Sequence, residues 1–189
     1  MEIHYKNIIN FFIKKFNYNS YLELGVKDPR NNFNEINCEF KEGVDIDLNA
    51  NATYTMSTNE FFNTVGKNKT WDIIFIDADH KKEQVLLDFK NSLYRLNKGG
   101  TIIMDDVNPT DSKLLVPKFC NNAWEAFAEI SKRKDLITHV VKGTYAGFVR
   151  RGKQKGHSIN IVSSYNFLNE NRKVLLNPIS FTELQTMFE

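Results

Sequence analysis

The stretch from Trp71 to Val107 limits what this chain can fold into more than any other. Ile73 to Ile76 is an apolar run that breaks into Asp77, Asp79 and His80, the pattern of a parallel strand buried on both faces and ending in a polar crevice. Val85, Leu86, Phe89, Leu93 and Leu96 then recur at helical spacing as far as Gly99-Gly100, where a positive φ lets a chain leave a helix. Thr101 to Met104 is a second apolar run, closed by Asp105 and Asp106. Strand, helix and strand of this length predict a right-handed βαβ unit with both strands pointing the same way. Asp77, Asp79, His80, Asp105 and Asp106 are therefore expected on one rim of the sheet, where open α/β sheets bind ligands.

The flanking segments extend this unit into a single α/β domain over 1–189. Ile3, Ile8, Ile9, Phe12, Ile13 and Phe16 predict an amphipathic helix from Glu2 to Phe16. Tyr21 to Val26 reads as a strand in which Glu23 needs a partner, because a buried carboxylate without one is costly. Asn31 to Cys38 holds at most a short helix, Gly43 to Asp47 reads as a second strand ending in acid, and Thr53 to Thr55 as a third. Ser57 and Glu60 form a capping box ahead of a helix carrying Phe61, Phe62 and Val65. Leu114 to Ile130 reads as mostly helical, with Trp124 in the core. Ile137 to Val141 and Tyr145 to Val149 predict an antiparallel hairpin around Lys142-Gly143. After His157, Ile159 to Val162 reads as a strand and Thr182 to Phe188 as a helix, in an extension to which the sequence assigns no role.

Composition narrows the function. With 25 basic against 23 acidic residues the net charge is +2, which offers no broad footprint for nucleic acid or an anionic membrane. The basic run Arg150, Arg151, Lys153, Lys155 reads as a solvated strand end. Cys38 and Cys120 are the two cysteines and form no C-x-x-C pair, so neither a disulfide framework nor a zinc site is expected. No signal-peptide pattern and no apolar run near the ~20 residues of a membrane span is present, and the expected location is the cytoplasm. Gly25 and Asp45 stand at the βα-turn-to-acid spacing of a dinucleotide-type half. The G-x-G-x-x-G pattern is absent, which argues against a nicotinamide dehydrogenase.

YLELG (Tyr21–Gly25), GVDID (Gly43–Asp47), TMS (Thr55–Ser57), FIDADH (Phe75–His80) and MDDV (Met104–Val107) together resemble the class I S-adenosylmethionine-dependent methyltransferases. The resemblance implies a Rossmann-like fold with a mostly parallel seven-stranded sheet, a C-terminal antiparallel hairpin and helices on both faces. It implies that Glu23 and Gly25 lie along the methionine part of the cofactor, that Asp45 holds the ribose hydroxyls, that Met56 and Ser57 flank the adenine, and that Asp77 also belongs to the cofactor-binding set. FID-x-x-H followed by MDDV is similar to the catechol-type O-methyltransferases, which implies that Asp77, Asp105 and Asp106 hold a divalent metal. His80 falls where that group places a lysine base. The segment LGVKDPRNNFNEI also resembles, more loosely, small methyltransferases associated with glycan modification. This chain departs from the pattern in lacking the second glycine of the first motif and in carrying histidine for lysine.

Methyl transfer from a sulfonium is an in-line displacement, so a protein must align the acceptor oxygen and remove its proton. His80, with an ordinary pKa near ~6.5, suits a general base, with Asp77 and Asp106 beside it; capping of the following helix is its competing role. Three carboxylates on adjacent strand ends repel one another unless protons or a cation are shared, and oxygen ligands select Mg²⁺, Mn²⁺ or Ca²⁺. A loop-capping role for Asp105 and Asp106 at Asn108-Pro109 is the alternative. The expected activity is O-methylation of a sugar, glycan, nucleotide-sugar or other small hydroxylated molecule, with a homo-oligomer left open. A catechol-type phenolic acceptor, or a cofactor-binding module without catalysis, are the other readings.

Overall fold

In the computed structural model, which describes residues 3–189, the central unit forms as expected. Strand β4 (Trp71–Ile76) leads through helix α3 (Lys82–Arg95) to strand β5 (Leu96–Met104), with Ile73 opposite Thr101 and Ile76 opposite Met104 in parallel register. Five more strands join them: β1 (Ser20–Leu24), β2 (Phe40–Asp45), β3 (Tyr54–Thr55), β6 (Leu136–Val140) and β7 (Gly147–Arg151). The spatial order is β3-β2-β1-β4-β5-β7-β6. Strand β7 runs antiparallel to both neighbours, so the expected hairpin forms with its second strand inserted beside β5. Strand order reverses between β1 and β4, and the crevice beyond their C-terminal ends is the switch point of the sheet.

Both faces are covered, which is why the central strands read as unbroken apolar runs. Helices α1 (Tyr5–Phe16) and α6 (Phe181–Met187) pack on the face that carries Tyr21, Ile73, Phe75, Ile103 and Phe148. On the other face, Leu22, Ile74, Ile76, Ile102 and Met104 meet α2 (Thr58–Asn63), α3, α4 (Ala123–Ser131) and α5 (Tyr165–Leu176). Trp124 is buried in that second core. Glu2, the expected first residue of α1, lies outside the described residues.

Several boundaries differ from expectation for local reasons. Helix α3 stops at Arg95, before the glycines, because the backbone of Leu96 is already extended and pairs with Trp71, while the Arg95 side chain is anchored on the carbonyls of Gly66 (3.0 Å) and Phe62 (2.7 Å). Gly99, at φ +82, instead serves the irregularity inside β5. Residues 114–122 form turns rather than the start of α4. Ile159–Val162 makes no strand, and α5, which the sequence reading missed, begins where Ser164 accepts the Phe167 N–H at 3.2 Å. Arg150 is no solvated end: its guanidinium lies 4.0 Å from the Phe16 ring centroid and donates to Tyr18 and Thr101. Along the outer side of β6, Gln154 accepts the Thr138 N–H (3.1 Å), Asn177 donates to the Thr138 carbonyl (3.3 Å) and Ile179 N–H donates to Val140 (3.0 Å).

Asp88 is buried on α3, accepts from Gln84 at 3.0 Å through Oδ1 and leaves Oδ2 unpartnered. Burial lifts its carboxyl from 3.8 to about 6. A raised acid pKa in the folded state means that stability falls as pH rises from the unfolded value to the folded one, by roughly 2 to 3 kcal/mol for a shift of this size. Asp88→Asn is therefore expected to gain stability relative to the parent between pH 4 and pH 7 and to hold that gain at higher pH. Urea unfolding at the two pH values measures it; a difference independent of pH contradicts the assignment.

Candidate active site

The exits of β1 and β4 touch. Gly25, directly after β1, has φ +89 and donates its N–H to the Val44 carbonyl at 2.8 Å, and a Cβ there would collide with the Asp77 carbonyl. Only glycine permits this approach. Asp45, at the end of β2, accepts the N–H of Lys27 (2.7 Å) on one oxygen and of Asp47 (2.8 Å) on the other, tying the β1 loop to the β2 exit. Gly25, Asp45, Met56, Ser57 and His80 line one cleft of about 360 Å³, together with Gln84 and Pro117, within the range of ordinary ligand pockets. Ser57 has two positions at once, since it lines the cleft and also caps α2 by accepting the Glu60 N–H at 3.1 Å.

Glu23 and Asp77 are not in that lining. Glu23 is buried, and its Oε2 accepts from the Tyr21 hydroxyl (2.5 Å) and Asn32 Nδ2 (2.9 Å). These are the partners its burial called for. Burial is the main cause that raises its carboxyl to about 8.

Backbone bonds from Asp77 N–H to Leu24 (2.8 Å) and from Asp105 N–H to Ile76 (3.0 Å) carry the ladder past the strand ends and gather the acids. His80 Nε2 stands 3.1 Å from Asp106 Oδ2 and 3.5 Å from Asp77 Oδ1, while Nδ1–H donates to the Phe119 carbonyl. The bond to Asp77, with the charge of Asp106 behind it, outweighs burial and raises the imidazole to about 9. The two acids thus make His80 hold its proton more tightly than an isolated imidazole does. His80 is no helix cap: the first amides at α3 go to Asp79 (2.8 Å from Lys81) and Asn122 (2.8 Å from Lys82).

The expected carboxylate trio is only partly assembled. Ligand atoms within 4.8 Å of one another come from Asp77, His80 and Asp106. Asp105 is outside this group, with Oδ1 buried and unpartnered. Asp105 continues the direction of β5, whereas Asp106 at φ +58 turns out of it and reaches His80. Burial and mutual repulsion hold Asp77 and Asp105 above the usual carboxylate range. Neither Asp105 nor Asp106 caps Asn108-Pro109. Sequence reasoning missed Phe119, whose carbonyl holds His80, and Cys120, whose Sγ–H donates to Asp106 Oδ1 at 3.0 Å. A backbone carbonyl leaves no sequence signal, and Cys120 read only as a lone thiol.

A methyltransferase-domain family model (Methyltransf_24, "Methyltransferase domain") matches residues 23–107, from Glu23 to Val107. No curated protein sequence matches the chain. Among solved structures, the O-methyltransferase from Bacillus cereus in complex with SAH is similar at 16% identity and TM-score 0.54, over 77% of this chain and 78% of that one. The O-methyltransferase TomG from Streptomyces achromogenes, involved in tomaymycin synthesis and bound to SAM, is similar at 12% identity and TM-score 0.54, over 77% of each chain. MycE methyltransferase from the mycinamycin biosynthetic pathway, in complex with Mg, SAH and mycinamycin VI, is similar at 15% identity and TM-score 0.52, over 84% of this chain and 51% of that one. At these identities the likeness is one of fold, the α/β Rossmann-like methyltransferase sheet.

Gly25→Ala is expected to lose the cleft, since the new Cβ meets backbone rather than a movable side chain, at a cost of several kcal/mol beyond the positive-φ strain of about 1 kcal/mol. Thermal unfolding against Gly99→Ala, where nothing lies within 4 Å of the added carbon, separates collision from strain. Equal losses in both variants contradict the close approach.

Proposed function

We propose that this chain is an S-adenosylmethionine-dependent O-methyltransferase that methylates a hydroxyl of a small molecule, with the cofactor in the cleft along Gly25, Asp45, Met56 and Ser57. The observation that carries the reading is that this cleft runs up to His80, so a methyl donor in it ends beside an imidazole and the two acids Asp77 and Asp106. Asp45 accepts the ribose hydroxyls, and Glu23 closes the first turn behind the methionine part. The acceptor oxygen attacks the methyl carbon, the carbon–sulfur bond breaks with its electron pair leaving on sulfur, and the acceptor proton passes to His80 Nε2.

The acid set fits a hard divalent cation, because Asp77 and Asp105, crowded at one rim with Asp106, are lifted above the usual carboxylate range and share a single imidazole as counter-group. Asp77 and Asp106 would hold it, with Asp105 as the third acid, and the bound ion would lower the pKa of an acceptor hydroxyl. A bound cation would offset the charge of Asp77 and Asp106 that holds the proton on His80, and so would free Nε2 to accept the acceptor proton. The presence of Mg with MycE favours this assignment. A sugar or glycan hydroxyl is the preferred acceptor, a phenol the second.

Calorimetry with S-adenosylmethionine and its demethylated product, with and without Mg²⁺, tests the cofactor. Asp45→Ala is expected to weaken that binding by about 1 to 3 kcal/mol, the cost of unpaired ribose hydroxyls; unchanged affinity in a folded variant removes the assignment. His80→Gln is expected to lower methyl transfer by roughly 10²- to 10⁴-fold with cofactor affinity preserved. Radiolabelled transfer to catechol and to simple glycosides, in chelator and after Mg²⁺ or Mn²⁺ is restored, measures both points. Insensitivity to chelator leaves a metal-free base mechanism, and turnover unaffected by either perturbation rejects the site.

A further inference from the structure

The loop 107–122 leaves β5 after Asp106 and folds back over the rim, where Phe119 holds His80 and Cys120 holds Asp106. Its own sequence explains little of why it stays there, because its internal bonds are short-range turns such as Phe119 N–H to Val116 (2.9 Å). Two outside elements grip its beginning. The turn between β6 and β7 accepts from Val107 and Asn108 through the Tyr145 carbonyl (3.0 Å each), and from Asn108 Nδ2 through the Thr144 carbonyl (2.9 Å). Helix α5 supplies the other grip. Arg172 donates from Nη1 to Asn108 Oδ1 (2.5 Å) and from Nη2 to the Pro109 carbonyl (2.7 Å), and the Tyr165 hydroxyl donates to the Thr110 carbonyl (2.5 Å).

We propose that Arg172, assisted by Tyr165, is a positioning residue for the reaction centre: the C-terminal segment clamps loop 107–122 and thereby fixes where Asp106 and His80 stand. Two features make this more than a surface contact. Asn108 is buried, so its amide oxygen has no water to fall back on once the guanidinium is removed. Arg172 makes no ion pair among the described residues, so its fork is committed to an amide and a peptide carbonyl two and three residues from Asp106. A guanidinium spans both acceptors at once, which an ammonium point charge does not. This assigns a role to the extension after His157, which lies outside the residues matched by the methyltransferase-domain model. The catalytic consequence rests on the reading of the site given above; the clamp itself does not.

Cys120 provides a direct probe, since it is a buried residue of the loop itself and bonded to Asp106, while Cys38 lies elsewhere against the Tyr18 carbonyl (3.7 Å). In Arg172→Gln, labelling of Cys120 by a disulfide reagent should accelerate by about tenfold or more, as expected when a local opening becomes easier, with Cys38 unchanged. Arg172→Lys should behave like Arg172→Gln. With catechol as probe acceptor, kcat should fall by about tenfold while KM for S-adenosylmethionine stays within about twofold, because the partners of Arg172, Asn108 and Pro109, do not line the cofactor cleft. If Arg172→Gln does not fold, Tyr165→Phe, which deletes one hydroxyl, carries the same thiol measurement with a smaller acceleration. Unchanged Cys120 labelling in a folded variant, parallel acceleration of both cysteines, or full recovery in Arg172→Lys overturns the proposal. If the parent protein does not methylate catechol, that acceptor assignment fails while the thiol measurement still decides the clamp.

Discussion

Negative charge gathered where a parallel sheet ends is the constraint on which the rest of this structure depends. Asp77 and Asp105 enter the rim because the backbone ladder continues one step past β4 and β5, and Asp106 joins because its positive φ turns it toward His80. Water does not solvate these carboxylates freely, so the folded chain must hold protons on them or supply positive charge. His80 supplies part of it. The acids raise its affinity for a proton, and a backbone carbonyl from a distant loop helps to fix its placement. Fold, charge and chemistry are therefore solved together at the rim.

The cleft next to that rim depends on a different economy of space. Gly25 lets two strand exits touch, and Asp45 then uses both carboxylate oxygens to fasten the loops on either side. A residue that binds ribose in the proposed reading thus also shapes its own binding site. The absence of the second motif glycine is compatible with this arrangement, since Lys27 already takes a positive φ of 54° and offers its N–H to Asp45.

The sheet and its rim were legible in the sequence because apolar runs ending in acid carry period and polarity together. Gly25, Asp45, Met56 and Ser57 were placed from motif order and do share one cleft. What escaped had no such signal. The state of His80 depends first on Asp77, three residues before it, and then on Asp106 and Phe119, which tertiary folding alone brings to it. The separation of Asp105 from Asp106 depends on one backbone dihedral. The end of α3 is not at the glycines that suggest a stop, because the backbone of Leu96 has already entered the sheet opposite Trp71. Helix α5 was missed because Leu168, Leu175 and Leu176 are spread among polar residues and Ser164 was not recognised as a cap.

The cover along β6 has a consequence for how this molecule meets others. A sheet grows by offering unpaired amides and carbonyls at its edges, and this one has two. At one side the ladder is spoken for by Gln154, Asn177 and Ile179. At the other, β3 is two residues long, too brief a template to recruit a neighbouring strand. Intermolecular β-pairing is thus blocked along β6, the margin at which the antiparallel pair would otherwise go on growing.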